Sequence, residues 1–286
     1  MKITVIIPVY NEEKGIEKCL KSIINNTRSP DEIIVTNGMS EDKTRELISQ
    51  FSQVKLLSNT KRTAASGRNL AISAASGDII VFTDGDCYAD SKWIENIEKA
   101  FEYYNLDALG GKVVAAKAEN KFEEFWNHLA WNVLMSFGDV SYKVVDRTMN
   151  DAFVTANCAY RKDLLNKLNG FDEWFGNNAE DVDLSWRALS LGANMRYIPE
   201  AVIYAHGVTT LKGIKNKSFR NGVSSSKLQK RYGSRINYDW NIYRLWWKQI
   251  PGCIKNDFNS KLLFNELSWH LLGKYYGSIK YHVINI

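Results

Sequence analysis

Two carboxylates separated by one glycine, Asp84-Gly85-Asp86, follow directly on the apolar run Ile79-Ile80-Val81-Phe82. Side chains that emerge together where a buried strand ends can share one ligand, and the glycine lets the backbone bend between them. Two hard oxygen donors in that position suit Mg²⁺ or Mn²⁺, although the same triplet is also ordinary turn chemistry. A second acidic pair, Glu180-Asp181, opens a helical pattern just after Gly176-Asn177-Asn178, a loop able to approach a bound ligand. Its plainer role is to stabilise a helix N-terminus through the dipole. Arg68 falls in the first turn of another expected helix and carries a permanent charge on a fork that matches phosphate oxygens, or else is a solvated helix residue. His206 closes the apolar run Ala201–Ala205, where it is either a ligand or a structural histidine.

The elements that must position these groups alternate. Residues 3–9 read as a buried β-branched strand stopped by Pro8, and a helix over 12–24 follows. Residues 32–36 form a second strand, Asn37-Gly38 a turn, and Ser40 caps a helix that runs to Phe51. Residues 54–57 are a third strand. A helix over 66–75 ends at Gly77 in the usual C-terminal glycine position, and 79–82 is the fourth strand. Such alternation predicts an α/β fold with a doubly wound, mostly parallel sheet whose ligands bind at the carboxyl ends of the strands, near Val9, Asn37 and Asp84. A helix over 91–103, a strand over 108–114, an aromatic helical stretch over 121–137, the helix that opens near Glu180, and strands over 194–198 and 202–206 complete a domain spanning 1–210. Residues 211–286 form a mainly helical extension.

Of the 286 residues, 45% are hydrophobic and 24% charged, and the mean hydropathy is −0.32, which excludes a disordered chain or a multi-span membrane protein. The start shows no secretory leader pattern, so a cytoplasmic location is expected. Cys19, Cys87, Cys158 and Cys253 have no metal-type spacing and read as free thiols. The net charge of +5 is uneven: residues 211–286 carry fourteen Lys and Arg against three acids, a net of +11, and residues 1–210 carry a net of −6. The two parts are expected to meet different partners.

Several segments in order then converge. Val-Ile-Ile-Pro-Val-Tyr-Asn-Glu-Glu over 5–13, Glu-Ile-Ile-Val-Thr-Asn-Gly-Met-Ser-Glu-Asp-Lys-Thr over 32–44, Gly-Arg-Asn-Leu-Ala over 67–71, Ser76 to Asp86, Gly-Phe-Asp-Glu over 170–173, and Glu-Asp-Val-Asp-Leu-Ser-Trp-Arg over 180–187 resemble the inverting family 2 glycosyltransferases of the GT-A fold, across about residues 3–210. The resemblance implies that Pro8, Tyr10 and Glu12 line the nucleotide pocket beside position 37. Relatives commonly carry Asp at 37 to recognise the base; Asn37 offers both a donor and an acceptor to a pyrimidine edge, and doubles as a turn residue. It further implies that Arg68 faces the diphosphate, that Asp84 contacts the ribose or the metal, that Asp86 holds Mn²⁺ or Mg²⁺, and that His206 completes the metal site. Asp181 is implied to be the general base, with Asp172, Glu173 and Glu180 shaping the acceptor loop. Asp183 reads as helix surface or as support behind the site. The donor would be a nucleotide-diphosphate sugar. No Gln-x-x-Arg-Trp sequence of the processive type is present, so one sugar is added per encounter.

Residues 240–250 place Asn241, Arg244 and Lys248 on one polar stripe of a helix, with tryptophans around a wide apolar face, a pattern that can lie in a membrane interface or pack on protein. Leu262–Leu272 is apolar but too short and interrupted to span a bilayer. Peripheral contact with the cytoplasmic membrane face would suit a glycan or polyprenyl-phosphate-linked acceptor. A sugar nucleotidyltransferase would need a glycine-rich basic loop after the first strand, and a dinucleotide enzyme Gly-x-Gly-x-x-Gly; neither is there. A catalytically silent sugar-nucleotide or membrane-binding module is the alternative from another class. Nucleic acid is not an expected partner, because no recognised motif accompanies the basic tail.

Overall fold

The computed structural model describes residues 1–130, 138–147, 152–233 and 257–283. In chain order its first elements are β1 (Ile3–Val9), α1 (Ile16–Ile24), β2 (Glu32–Asn37), α2 (Thr44–Ser49), β3 (Val54–Ser58), α3 (Ala64–Ala74), β4 (Ile79–Phe82), β5 (Cys87–Ala89) and α4 (Trp93–Tyr104). They are followed by β6 (Ala108–Ala115), α5 (Lys121–Asn127), β7 (Tyr142–Lys143), β8 (Cys158–Arg161), α6 (Lys162–Lys167), α7 (Glu180–Ser190), β9 (Met195–Ala205), α8 (Leu211–Tyr232) and α9 (Asp257–Tyr281). The chain divides into two compact units: residues 1–114, 137–147 and 151–205, and residues 115–136, 148–150 and 206–286.

The first unit is built on a nine-stranded sheet ordered β3-β2-β1-β4-β8-β6-β9-β5, with β7 beside β9. The apolar runs of β1, β2 and β4 are buried on both faces, as parallel strands under helices must be. Their ladders are parallel, with Val5 opposite Ile33 and Ile6 opposite Phe82. Beyond β4 the sheet becomes antiparallel: Phe82 pairs with Cys158 of β8, and Cys158 with Gly110 of β6. The core beneath joins Phe82, Tyr160, Phe171 and Leu184. Phe82 meets Phe171 edge-to-face at 5.3 Å, which seats the segment ahead of α7 against the end of β4.

Local expectations shift in several places. Pro8 does not stop β1, which continues to Val9. Pairing with β4 ends at Ile6, and only the register with β2, Pro8 opposite Thr36, reaches that far, so a residue without N–H is tolerated where the ladder has lost one side. Ser40 does not cap α2; its hydroxyl accepts from Asn11 N–H at 2.9 Å, and the helix starts at Thr44. Gly77 is not a left-handed helix cap. A Cβ there would lie 2.6 Å from Thr4 Oγ1 and 2.7 Å from Thr4 N, so glycine serves close backbone approach. The two strands expected over 194–206 are one, β9. β5, β7, β8 and α6 are not legible in the sequence, being short and without clean periodicity.

In the second unit α8 and α9 pack nearly backbone to backbone. A Cβ on Gly222 would run into the His270 carbonyl, and one on Gly273 into the Phe219 carbonyl. Ser226 Oγ donates to Lys274 O at 3.2 Å across the same seam. Thr210 caps α8 by accepting from Gly213 N–H. The amphipathic segment 240–250, Cys253, and residues 131–137 of the expected 121–137 helix lie outside the described residues.

Candidate active site

β4 delivers Thr83 to a bond with Ile6 O, and the chain then turns through Asp84-Gly85-Asp86 into β5, with Cys87 N–H donating to Asp84 O. Two glycines let the loop after β1 close on this turn. A Cβ on Gly85 would lie 2.8 Å from Val9 Cγ1 and 3.2 Å from Glu12 Cγ, and one on Gly15 would lie 2.8 Å from Gly85 O and 3.0 Å from Asp86 Cα. Glu12 is thereby held beside the acidic pair, its own N–H donating to Thr44 Oγ1 at 2.7 Å. Burial first, then the charges of Asp86, Asp84 and Asp42, push the Glu12 carboxyl up to about 8. Glu12, assigned by the sequence to the nucleotide pocket, thus joins the acidic cluster.

α3 enters behind that turn. Its N-cap Thr63 accepts from Ser66 N–H, and Gly67 lets the helix approach β2 so closely that a Cβ would lie 2.7 Å from Thr36 Oγ1. Arg68 follows and is only 2% exposed. Its Nη2 donates to Asp84 Oδ1 at 2.8 Å and its Nη1 to Glu180 Oε1 at 2.8 Å. Burial alone would lower the guanidinium pKa; Asp84, Glu180 and Asp181 outweigh it and the net shift is upward. The side chain expected to face a diphosphate instead ties the end of β4 to the start of α7. Arg68 Nε and Glu180 Oε2 are buried without a hydrogen-bond partner. Glu180, expected on the acceptor loop, is buried in this bridge.

α7 opens after Ala179, whose φ of +67° is uncommon for a residue with a Cβ. Asp181, half-buried beside Glu180, accepts from its own helix at Val182 N–H (2.8 Å). Its carboxyl is raised, with burial the main cause, opposed by Val182 N–H, Arg68 and Thr155 N–H. Glu180 is raised as well, by burial and then by Asp181, against Arg68. Asp183 is not on the surface: it is fully buried and binds Arg187 at 2.7 Å, and Arg187 in turn donates to the carbonyls of Leu168 and Gly170. The i,i+4 spacing of Asp183 and Arg187 was the available signal.

The loop between is clamped onto α3. Asn69 accepts from Phe171 N–H (2.8 Å) and donates to Phe171 O (2.9 Å), while Asn177 Oδ1 and Gly176 O accept the N–H groups of Ala64 and Ala65 at the helix start. Asp172 accepts from Trp174 N–H, and Glu173 pairs at the surface with Lys61 at 2.7 Å. At the carboxyl ends of β1 and β2, Asn37 is buried and its Oδ1 accepts from Ser40 N–H at 2.8 Å, while Tyr10 is 46% exposed.

His206 opens the second unit, where its Nδ1 lies 3.0 Å from Glu123 Oε1; that buried carboxylate also accepts from Gly207 N–H and Glu119 N–H. The antiparallel pairing of β5 and β9 ends with Cys87 opposite Ala205. Among the described residues no three His, Cys, Asp or Glu side chains stand in a ready ligating array. The cluster nonetheless fits a hard divalent cation, because Glu12, raised by burial and then by the charges of Asp86 and Asp84, stands beside two carboxylates whose repulsion such an ion relieves.

The model for glycosyl transferase family 2 matches residues 4–168. Glycosyltransferase AglE of Haloferax volcanii is 28% identical over 232 residues, 77% of this chain and 71% of that protein. The O-antigen chain rhamnosyltransferase RfbN of Salmonella typhimurium is 28% identical over 218 residues, 73% of this chain and 68% of its own. Among solved structures, the mannosyltransferase PcManGT of Pyrobaculum calidifontis, in complex with GDP-Man and Mn²⁺, has a TM-score of 0.60 at 18% identity, covering 98% of this chain and 77% of that one. S. aureus TarS 1-349 in complex with UDP-GlcNAc gives 0.56 at 15% identity, covering 100% and 93%. Both share the GT-A type of fold with this chain.

Proposed function

The chain belongs to glycosyl transferase family 2, and on that premise we propose that it moves one sugar from a nucleoside-diphosphate sugar to an acceptor hydroxyl with inversion at the anomeric carbon. The observation that carries this reading is the Arg68 bridge, which joins the acidic turn after β4 to the acidic start of α7 through two bonds of 2.8 Å. A cation-binding pair and a basic carboxylate on one framework are what a single-displacement transfer needs.

In this reading Asp84 and Asp86 hold the cation, and His206 is the third donor implied by the family motif. When bound, Mn²⁺ or Mg²⁺ supplies Lewis acidity to the departing diphosphate; the Mn²⁺ bound with GDP-Man in PcManGT supports that choice. Pro8, Tyr10 and Asn37 receive the nucleoside at the carboxyl ends of β1 and β2. Ser40 N–H engages the Asn37 oxygen, which leaves the Asn37 amide NH₂ as the donor to a base carbonyl. Asp181 takes the proton of the acceptor hydroxyl as that oxygen attacks the face opposite the leaving group. Its raised carboxyl makes it a stronger base than an ordinary aspartate. Asp172 and Glu173 shape the loop that receives the acceptor, a glycan or a polyprenyl-phosphate-linked saccharide. Arg68 keeps Asp84 and α7 in register and, from behind Asp84, offsets part of the acidic charge around the diphosphate.

Thermal shift with GDP-mannose and UDP-N-acetylglucosamine, with and without Mn²⁺, tests the reading, since a ligand that binds only the folded state raises apparent stability. At least one donor should stabilise the protein in a Mn²⁺-dependent way, and Asp86→Ala should abolish that dependence. Equal shifts in the wild type and the variant, or a product that keeps the donor's anomeric configuration, would overturn it.

A further inference from the structure

The second unit carries a surface that the transfer chemistry does not use. α9 buries Leu262, Leu263, Glu266, His270 and Lys274, and leaves Phe264, Leu271, Leu272, Tyr275, Tyr276 and Ile279 between 45% and 71% exposed. At about 100° per residue, these six fall within an arc of about 140° on the helix. Six large apolar side chains on one open face form a patch of the size that marks an interaction site.

α8 lies along the edge of that face. It carries seven Lys and Arg and no acid, and helical spacing puts Lys212, Lys215, Phe219, Lys227 and Lys230 on one side of it. The Phe219 ring is 6.4 Å from Trp269 and 5.7 Å from Tyr276. Lys215 Nζ stands 5.8 Å over Trp269, Lys227 Nζ 5.9 Å over Tyr281, and Lys280 Nζ 5.6 Å over Tyr276. The basic row of α8 therefore follows the aromatic edge of the apolar stripe, on one side of this parallel helix pair.

We propose that this side of the α8–α9 pair lies in the plane of an anionic lipid surface, with the α9 stripe among the acyl chains and the lysines at the phosphates. Charge selects this occupant. Two copies meeting through regions that each carry +11 would bring like charges together, whereas lipid phosphates neutralise them. No described helix is long and apolar enough to cross a membrane, and a basic, aromatic-edged helix of this length is suited to lying in the interface. The sequence places surface contact in 240–250; the structure assigns it also to α9, whose 262–272 stretch reads in sequence only as too short to span.

Sedimentation of the full chain with vesicles tests this independently of any catalytic assay. The protein should pellet with vesicles of equal parts phosphatidylcholine and phosphatidylglycerol, and not with phosphatidylcholine alone. The triple variant Phe264→Ser/Leu272→Ser/Ile279→Ser should lower partitioning at least about tenfold, and Lys212→Glu/Lys230→Glu likewise. Melting temperatures without vesicles should stay those of the wild type, because the changed side chains are exposed. Equal binding to both vesicle types, or unchanged partitioning of the triple variant, would overturn the proposal. So would a triple variant that melts earlier without lipid, which would mean the chain itself covers the stripe. A wild-type dimer that the triple variant converts to monomer, with no vesicle binding, would assign the face to a second copy.

Discussion

Replacing Arg68 with methionine keeps an unbranched stem and deletes the guanidinium that joins Asp84 to Glu180. Asp84 is partly open to solvent and can be rehydrated; Glu180 is 4% exposed and cannot. The cost is therefore dominated by a buried carboxylate left without its cation, about 3–5 kcal/mol when such a pair is broken from one side. Against a domain stability of roughly 5–15 kcal/mol the variant should fold, with a midpoint lowered on the order of 10 °C. The pH dependence identifies the cause. The folded-state Glu180 carboxyl is already raised, with Arg68 opposing the rise, so removing Arg68 raises it further. A carboxyl raised in the folded state binds its proton more tightly there than in the unfolded chain, and stability falls as pH climbs from the unfolded value toward the folded one. The deficit of Arg68→Met should be small near pH ~5 and grow toward pH ~8. Adding Glu180→Gln should recover at least about 1–2 kcal/mol in a double-mutant cycle by denaturant unfolding. A single-variant loss under about 1 kcal/mol, or a deficit that grows toward acid, would refute the argument that a buried ion-pair bridge holds the site.

Other expectations are shorter. Glu12, raised from 4.5 to about 8, should make the metal-free protein lose stability as pH rises across that window; Glu12→Gln should flatten the slope in denaturant midpoints, and a steeper slope would contradict it. Asp181→Asn should lower kcat by about 10²–10⁴ while leaving donor affinity, read by titration calorimetry, near the wild-type value. Gly273→Ala drives a Cβ into the Phe219 backbone and should cost about 1–3 kcal/mol, with loss of hydrogen-exchange protection in α8 and α9 and not in β1 or β4.

The parallel half of the sheet was legible because continuous apolar runs at 3–9, 32–36 and 79–82 allow little else. What followed β4 was not: β8 and α6 are short, and antiparallel insertion beside β4 leaves no periodic signature distinct from a loop. Asp84, Asp86, Glu180 and Asp181 could be picked out by position after a strand or before a helix. Their mutual geometry could not, since Arg68 and Glu180 lie 112 residues apart and the pairing depends on how α3 meets the sheet. The family resemblance pointed Arg68 toward a diphosphate, a role that the charge and fork of arginine suit. Burial turned it inward, where two carboxylates wait within 2.8 Å. Gly15 and Gly85 were likewise readable only as turn residues; contacts of 2.8–3.0 Å to their would-be Cβ atoms show them setting the approach of Glu12 to the acidic turn.

The site combines two opposite electrostatic solutions on one strand end. At Asp84 the negative charge is compensated internally by Arg68, so that position is fixed whether or not a ligand is present. On the other side burial, and after it the charges of Asp86 and Asp84, leave Glu12 with a carboxyl that holds its proton up to about 8. A group so raised is destabilising when forced to ionise, and a divalent ion beside it offsets that penalty by Coulomb attraction. Cation binding should therefore release a proton when measured below pH ~8. The stabilisation it gives should be larger at neutral than at acid pH, because at acid pH the competing proton is already in place. The tight glycine packing at 15 and 85 is what makes this coupling strong, since a wider turn would let the three carboxylates separate into solvent and lose both the repulsion and the response.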